Sequence, residues 1–331
     1  NMFRYFEDLI DPFVDAPRGT PPARLLPYLW SQMRTLGGWL PFMAGTSLLV
    51  AIVESLLIFY AGRVIDLMSG SGAAAFWAEN RWEMIAAAIA LLLLRPALIA
   101  FNHLLLEQTL VGTLAAQAPW RAHQHMLGQS MAFFQNDFAG RLSNRVMQIG
   151  PATEDAVYIL LEALWFSLVY IIGAMAVIAY VDPRLAAVLA IWRALYILYT
   201  RYLVVRITVA SEKWSDGRSA VTGRVVDAYA NIESVKLFAG TKAEKAYALS
   251  AFKRMRLRML RFLRLATEMH LFLNILNGAL MVGMGGLAML LWSRGLVSLG
   301  EVTAALALTL RLNGMSGWIM WVTIRIFEHF G

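Results

Sequence analysis

The stretch FFQNDFAGRLSNRV, residues 133–146, is a polar interruption between two long apolar parts of the chain. The apolar runs on either side predict membrane-spanning helices, so this stretch is predicted to be a turn outside the membrane. Gly140 lets the chain turn there before the next helix begins. Because Phe133 and Phe134 at such a tip do not face lipid, we expect them to bury against something, and a partner protein is the natural candidate.

Composition places the chain among membrane proteins. Of its 331 residues, 59% are hydrophobic and 15% are charged, whereas a soluble domain is nearer to half apolar and a quarter charged. The net charge of +7 does not indicate nucleic-acid binding, because the basic residues flank apolar runs instead of alternating with exposed aromatic residues. The absence of cysteine excludes disulfides, thiol catalysis and cysteine metal sites. His123 and His125 have the wrong spacing for two ligands on one helix face, so no metal site is predicted.

The hydropathy pattern predicts six spans, since about 20 apolar residues cross roughly 30 Å of hydrocarbon. The connections after the second and fourth spans are long and poor in proline, which predicts continuous helices of about 50 residues, roughly 75 Å in length. A bilayer takes up less than half of that length, so these helices are expected to project far beyond the membrane on one side. The predicted spans are 37–68, 82–111, 153–181, 184–205, 269–293 and 299–327.

The distribution of lysine and arginine predicts the orientation. Fourteen of the 29 basic residues lie between residues 201 and 264, so the positive-inside rule places the long connections and both termini in the cytoplasm. Residues 1–35 are interpreted as a cytoplasmic or interfacial elbow, and residues 36–331 as one six-helix transmembrane domain. Within the elbow, the apolar spacing of residues 24–34 is typical either of an amphipathic helix on the membrane surface or of a helix packed against the bundle.

The second long connection contains NIESVKLFAGTKAE, residues 231–244, in which apolar and basic residues are mixed. Together with six spans and FFQNDFAGRLSNR at the first tip, it makes essentially the whole chain resemble the transmembrane domain of an ATP-binding-cassette (ABC) exporter, of the half-transporter type with the type IV fold. The resemblance implies an all-α membrane protein with six long transmembrane helices, cytoplasmic extensions, coupling helices at the tips and a domain-swapped dimer. From the residues alone, tips that pack against each other or against neighbouring helices remain an alternative.

The resemblance also implies which residues couple the membrane domain to nucleotide-binding domains. The chain has no G-x4-G-K-[ST] loop and is predicted to bind no ATP itself. ATP and Mg²⁺ are expected in a nucleotide-binding domain that lies beyond this region or on another chain, so the complete transporter, not this chain, would be the ATPase. No catalytic residue is predicted. The implied coupling residues are Phe133, Phe134, Asp137, Gly140, Arg141 and Leu142 at the first tip and Ile232, Val235, Lys236 and Phe238 at the second.

Ionisable residues inside apolar runs are costly in lipid, which makes them candidates for a substrate path. Glu54 and Arg95 are expected to form an ion pair; a purely structural pair or snorkelling is the alternative for each charge. Five of the six basic residues within 253–264 share an arc of roughly 140° on a helix. A solvated face, a basic wall that favours an anionic or amphipathic substrate, and contacts with lipid phosphate are the three interpretations of that arc. The substrate-path candidates are Glu54, Arg95, Glu162, Arg193, Arg258, Arg261, Glu268 and Arg311.

The leading functional hypothesis is the transmembrane subunit of an ATP-driven exporter in a bacterial inner membrane. It would move an amphipathic or anionic small molecule or a lipid out of the cytoplasm by alternating access. The expected partners are a second copy or a homologous half-transporter, nucleotide-binding domains and membrane lipids, and not nucleic acid. The alternatives are a non-transporting scaffold or regulatory subunit and an ion-coupled secondary transporter. The latter would show short, broken helices in repeated halves, which these long helices do not resemble.

Overall fold

The computed structural model describes the backbone of residues 2–15, 19–135 and 139–330, and every regular element within these ranges is a helix. The side chains of residues 25, 139–141, 238–241 and 323–330 are not part of this description. Two short helices precede the long ones, and two more lie at the turns between them. The helices are α1 (Met2–Glu7), α2 (Leu25–Met33), α3 (Trp39–Gly70), α4 (Ala73–Leu127), α5 (Met131–Gln135), α6 (139–181), α7 (Pro183–Ala230), α8 (Ile232–Ser234), α9 (Gly240–Ser293) and α10 (Leu299–Phe330).

Long helices dominate the fold. Among the described residues, α3, α4, α6, α7 and α9 contain apolar segments long enough to cross a membrane. The sixth predicted span corresponds to α10, which has 32 residues. The helices α4, α7 and α9 have 55, 48 and 54 residues, which is roughly 70–80 Å at 1.5 Å per residue. The predicted all-α membrane fold with helices much longer than a bilayer is thus confirmed.

The helix α4 continues through both of its prolines. Its backbone widens into π-helical turns at Ala90–Leu94 and Leu104–Val111. Pro96 follows the first of these turns. A proline has no N–H to donate, and its ring crowds the carbonyl four residues earlier, so a wider turn at Leu92 accommodates it without ending the helix.

The chain divides into two compact units, residues 1–177 with 298–304, and residues 178–297 with 305–331. The apolar core of the first unit joins the N-terminal helices to α3, α4 and α6. Its interior is built from apolar side chains that follow the helical period of each element. The buried members are Phe6, Leu29, Met33, Leu36, Met43, Leu105, Leu106, Leu110, Leu114, Ala156, Val157 and Leu161.

The elbow helix α2 packs on the bundle with one face only. Leu29 and Met33 are buried in the core of the first unit, whereas Leu26 and Trp30 are 66% and 60% exposed. Packing against the bundle is therefore observed for the first face. An interfacial position for the second face stays a prediction, as does the division of the chain after residue 35.

The start of α10 is held against α3 in the first unit. The backbone N–H of Gly300 donates to Asp66 Oδ1 at 2.6 Å, and the Ser298 hydroxyl donates to the other carboxylate oxygen. Gly62 and Gly300 lie so close that a Cβ on either would collide with the carbonyl oxygen of the other. A first-turn N–H has no acceptor within its own helix, so Asp66 caps α10 from a neighbouring helix.

The second unit is built on the antiparallel pair α7 and α9. The rings of Tyr199 and Phe272 stack with centroids 3.5 Å apart, and those of Trp214 and Phe262 lie 5.2 Å apart. At Gly217 the helices approach so closely that a Cβ would be 3.2 Å from a backbone atom of α9. Side chains on the inner face of α9 recur every three or four residues, as in coiled-coil packing. They include Met269, Leu273, Leu276, Leu280, Met284, Ala288 and Leu291.

Candidate functional site

The first tip presents two phenylalanine rings. The helix α5 begins at Met131, and the N–H of Phe133 donates to the carbonyl and the hydroxyl of Ser130, at 3.1 and 3.3 Å. The rings of Phe133 and Phe134 meet edge to face with centroids 5.5 Å apart. They are 37% and 39% exposed, so the pair forms a small apolar knob at the surface of the described structure.

The other predicted residues of the first tip differ in position. Asp137 lies outside the described residues. Gly140 and Arg141 belong to the first turn of α6, and their surroundings are not described. Leu142 is 7% exposed, so its side chain packs within the protein. The coupling role of these residues stays a prediction.

The second tip follows α7 at Asn231, whose backbone N–H and Nδ2 both donate to the Asp227 carbonyl, at 3.1 and 3.0 Å. The helix α8 then runs into a π-helical turn, Val235–Ala239. Ile232 is 41% exposed and Leu237 is 76% exposed. Leu237 was absent from the predicted coupling residues, although an apolar side chain at a projecting tip was a usable signal.

The remaining predicted residues of this tip differ in exposure where the structure describes them. Val235 is half-buried and Lys236 is exposed. The side chain of Phe238 lies outside the described part. The second tip therefore presents apolar and basic groups together. Among its described residues, Leu237 is the most exposed apolar side chain.

An arginine near this tip ties α7 to α9. Arg224 Nη1 donates to the Tyr247 carbonyl at 2.7 Å and lies 2.9 Å from Ser250 Oγ, and its guanidinium is 4.1 Å from the centroid of the Tyr247 ring. A planar guanidinium suits this combination of hydrogen bonding and stacking. We call this set of contacts the Arg224 brace; sequence reasoning did not identify it.

The predicted ion pair in the first unit is confirmed. Arg95 Nε lies 2.6 Å from Glu54 Oε1, and the Glu54 side chain is 14% exposed. A second pair, Arg63 with Glu83 at 2.9 Å, lies further along the same helices and also receives a hydrogen bond from the Tyr60 hydroxyl at 3.2 Å. Both contacts link α3 to α4. Pairing also lowers the free-energy cost of placing each charge in lipid.

The third candidate of the first unit, Glu162, lies elsewhere. It belongs to the π-helical turn Ile159–Trp165 of α6 and is half-buried. His103 and Glu107 of α4 are titratable neighbours of Glu162. Of the three predicted residues of this unit, Glu54 and Arg95 thus form an ion pair, whereas Glu162 has other titratable neighbours.

A cavity lies beside the elbow. It has a volume of about 660 Å³ and is lined by α2, α4, α6 and the chain segment that precedes α2. Tyr28 donates to or accepts from Thr153 at 3.2 Å, and burial raises the pKa of Tyr28. Arg121 donates to Thr35 Oγ1 at 3.0 Å, which fixes the elbow to α4.

In the second unit, Arg258 and Arg261 come together with three further cations. They line a cavity of about 590 Å³ between α7 and α9. Arg258 Nη1 donates to the Lys213 carbonyl at 3.1 Å. We call this cavity the basic groove; its cations are Arg206, Lys213, Arg258, Arg261 and Arg264.

The other candidates of the second unit lie outside the basic groove. The guanidinium of Arg193 is 5.3 Å from the ring of Tyr196. Glu268 is exposed on α9, and Tyr199 of α7 is its titratable neighbour. Arg311 is exposed on α10. Of the five predicted residues in this unit, Arg258 and Arg261 line the same cavity.

Comparisons with known proteins agree with this architecture. Residues 40–315 match the family model of the ABC transporter transmembrane region. A Haemophilus influenzae protein named "uncharacterized ABC transporter ATP-binding protein" is 32% identical over 332 residues, which cover 100% of this chain and 54% of that protein. The structure of a bacterial Atm1-family ABC exporter with ATP bound superposes with a TM-score of 0.67 at 19% identity, covering 88% of this chain and 51% of the other. The chain thus spans about half the length of each.

Proposed function

Because the chain belongs to the ABC transporter transmembrane-region family, we propose that this integral multi-pass membrane protein is the membrane part of an ATP-driven exporter that works by alternating access. The observation that carries the proposal is the pair of tips, which present Phe133, Phe134 and Leu237 to solvent at the ends of long helices. Exposed apolar groups at such positions are typical of docking to another protein. Nucleotide-binding domains are the proposed partners.

The proposed assembly contains two transmembrane regions, either two copies or this chain and a homologous half-transporter, arranged as a domain-swapped dimer. The chain covers 54% of a relative whose name includes ATP binding, which supports a nucleotide-binding domain in the remainder of the full-length protein. ATP and Mg²⁺ would bind there. A bacterial inner membrane with both termini in the cytoplasm is the proposed location, supported by the concentration of basic residues in 201–264.

The proposed substrate is an amphipathic or anionic small molecule or lipid. The basic groove supports this choice, since it gathers five cations between two helices that also cross the membrane. Charges lining a cleft raise the local concentration of ligands of the opposite sign.

The test is ATP hydrolysis by the full-length protein in lipid nanodiscs, basal and with a panel of anionic amphiphiles. The tip variant is Phe134→Ala with Leu237→Ala. The matched control is Phe252→Ala with Leu257→Ala, which removes the same side-chain types from exposed positions of α9 away from the tips. An apolar anchor in a docking surface contributes about 1–2 kcal/mol or more, so we expect the tip variant to lose at least about tenfold in stimulated hydrolysis.

Retention of basal hydrolysis with loss of stimulation only in the tip variant supports the proposal. Equal stimulation in the tip and control variants contradicts it, because the tips would then not transmit nucleotide-binding-domain closure. If the full-length protein hydrolyses no ATP, a scaffold or regulatory subunit becomes the better description.

A further inference from the structure

The basic groove gathers positive charge without acidic partners. Its five cations form no ion pair with any residue in the described ranges 2–15, 19–135 and 139–330. Its other lining residues, Val209, Ala210 and Leu265, are apolar. Glu268 lies one helical turn beyond Arg264 on α9 but makes no ion pair with it in the described structure. Such a concentration of unpaired cations over an apolar floor is suited to an anion that carries an apolar tail.

The position of the groove along the helices matches the headgroup layer. Arg206 directly follows the apolar run 184–205, and Arg264 lies shortly before the run 269–293. From Arg206 to Lys213 the helix rises about 10 Å. The polar layer on each side of a bilayer is roughly 5–8 Å thick, so Arg206 and Arg264 lie within that layer and Lys213 lies just beyond its outer edge.

Aromatic side chains of α7 lie at both ends of the groove, Tyr202 one turn before Arg206 and Trp214 directly after Lys213. The guanidinium of Arg206 lies 4.4 Å from the ring centroid of Tyr202, and Arg218 lies 4.7 Å from that of Trp214. Tyrosine and tryptophan are enriched where membranes meet water. The groove volume of about 590 Å³ falls within the range of roughly 300–1,000 Å³ found for small-molecule sites.

We propose that the basic groove binds the phosphate of an anionic lipid headgroup from the adjacent leaflet, with Arg206, Arg261 and Arg264 as its main ligands. Arg258 holds the two walls of the groove together, because its guanidinium on α9 donates to the Lys213 carbonyl on α7. The site requires that α7 and α9 be inserted in a membrane and does not depend on export. An anionic substrate and a structural lipid share this phosphate chemistry, and the lipid is favoured because the groove lies at headgroup depth.

The test is lipid retention by the full-length protein, measured by native mass spectrometry with dioleoyl phosphatidic acid and dioleoyl phosphatidylcholine. The groove variant is Arg206→Gln, Arg261→Gln and Arg264→Gln. The charge-matched control changes three exposed cations of α9 that do not line the groove. All six side chains are exposed, so neither variant opens a core cavity. The control substitutions are Lys253→Gln, Arg254→Gln and Arg256→Gln.

We expect the groove variant to bind phosphatidic acid on the order of 100-fold more weakly than the wild type, from about fivefold for each of the three cations next to lipid phosphate. The control is expected to stay within about threefold. Equal weakening in both variants would mean that only the general surface potential attracts the lipid, and it would overturn the proposal.

Two arms on the wild-type protein need no variant. Phosphatidic acid should be retained at least about tenfold better than phosphatidylcholine, and equal retention contradicts the proposal. Inorganic phosphate at about ten times the lipid concentration should leave bound phosphatidic acid in place, because it lacks the acyl chains that hold the lipid at this depth. Complete displacement by inorganic phosphate would assign the groove to a small soluble anion instead.

Discussion

The Asp66 cap on α10 leads to a quantitative prediction about local opening. Asp66→Ala removes the acceptor of the Gly300 N–H and the partner of the Ser298 hydroxyl at once. Asp66→Asn keeps an oxygen for Gly300 and an amide for Ser298 but removes the charge. The two variants therefore separate the hydrogen bonds from the charge.

The magnitude follows from the two contacts. A hydrogen bond to a carboxylate contributes about 1.5–3 kcal/mol and one between neutral groups about 1 kcal/mol. Asp66 is half-exposed, so the lower value is appropriate, and Asp66→Ala is expected to lose about 3 kcal/mol of local stability. Asp66→Asn should lose about 1 kcal/mol. The corresponding opening constants rise on the order of 100-fold and about fivefold.

Amide hydrogen exchange of the peptide covering residues 298–304, in nanodiscs, measures this opening directly. The start of α7, where Asp182 Oδ1 accepts from the Arg184 N–H at 2.8 Å, is capped independently and should exchange unchanged in both variants. Wild-type exchange of residues 298–304 in Asp66→Ala would refute the reasoning. Equal acceleration in the alanine and asparagine variants would show that charge, and not hydrogen bonding, holds the helix start.

Three further predictions concern helix contacts. Gly217→Val should destabilise the α7–α9 pair by about 1–3 kcal/mol through overpacking. The control Gly223→Val should not, because nothing lies within 4 Å of a Cβ at that position. Thermal unfolding in detergent measures both variants, and equal losses would contradict the prediction. Arg224→Met should speed proteolysis of residues 231–244 at least about threefold, since the partly exposed Arg224 brace contributes about 1 kcal/mol. An unchanged rate would show that the Arg224 brace does not stabilise this tip. Arg95→Met should lower the free energy of unfolding by about 3 kcal/mol, because it leaves the Glu54 charge without a partner. Adding Glu54→Gln should restore much of this stability, because no uncompensated charge then remains. Additive losses in the double variant would argue against the pair.

The long helices and the ion pair were predictable for physical reasons. A proline-poor stretch with continued apolar spacing specifies a long helix, which α7 and α9 confirm. Glu54 and Arg95 are charges on consecutive antiparallel spans, and the cost of each in lipid favours a partner. The π-helical turns were not predicted, because an extra residue in a helical turn leaves no periodic signal over a span of uniformly apolar residues such as Ala90–Leu94.

The tertiary parts of the candidate sites were harder to predict. The arginines of α9 that line the basic groove were visible as a face of one helix, but Arg206 and Lys213 join them only through the register of α7 against α9. No sequence periodicity fixes that register between two long helices. The Arg224 brace has the same origin, because its main acceptor is a backbone carbonyl, which carries no residue-type signal.

The Arg224 brace also has a mechanical consequence. Residues 206–230 of α7 form a rod about 36 Å long, and this rod is joined to α9 both at Gly217 and near its far end. Two rods joined at two heights resist bending more than either alone. A rotation of about 5° at the base of such a lever displaces its end by about 3 Å, the length of a hydrogen bond. Small angular changes next to the bilayer thus become displacements at the tip large enough to make or break a contact, with no bend in the helix.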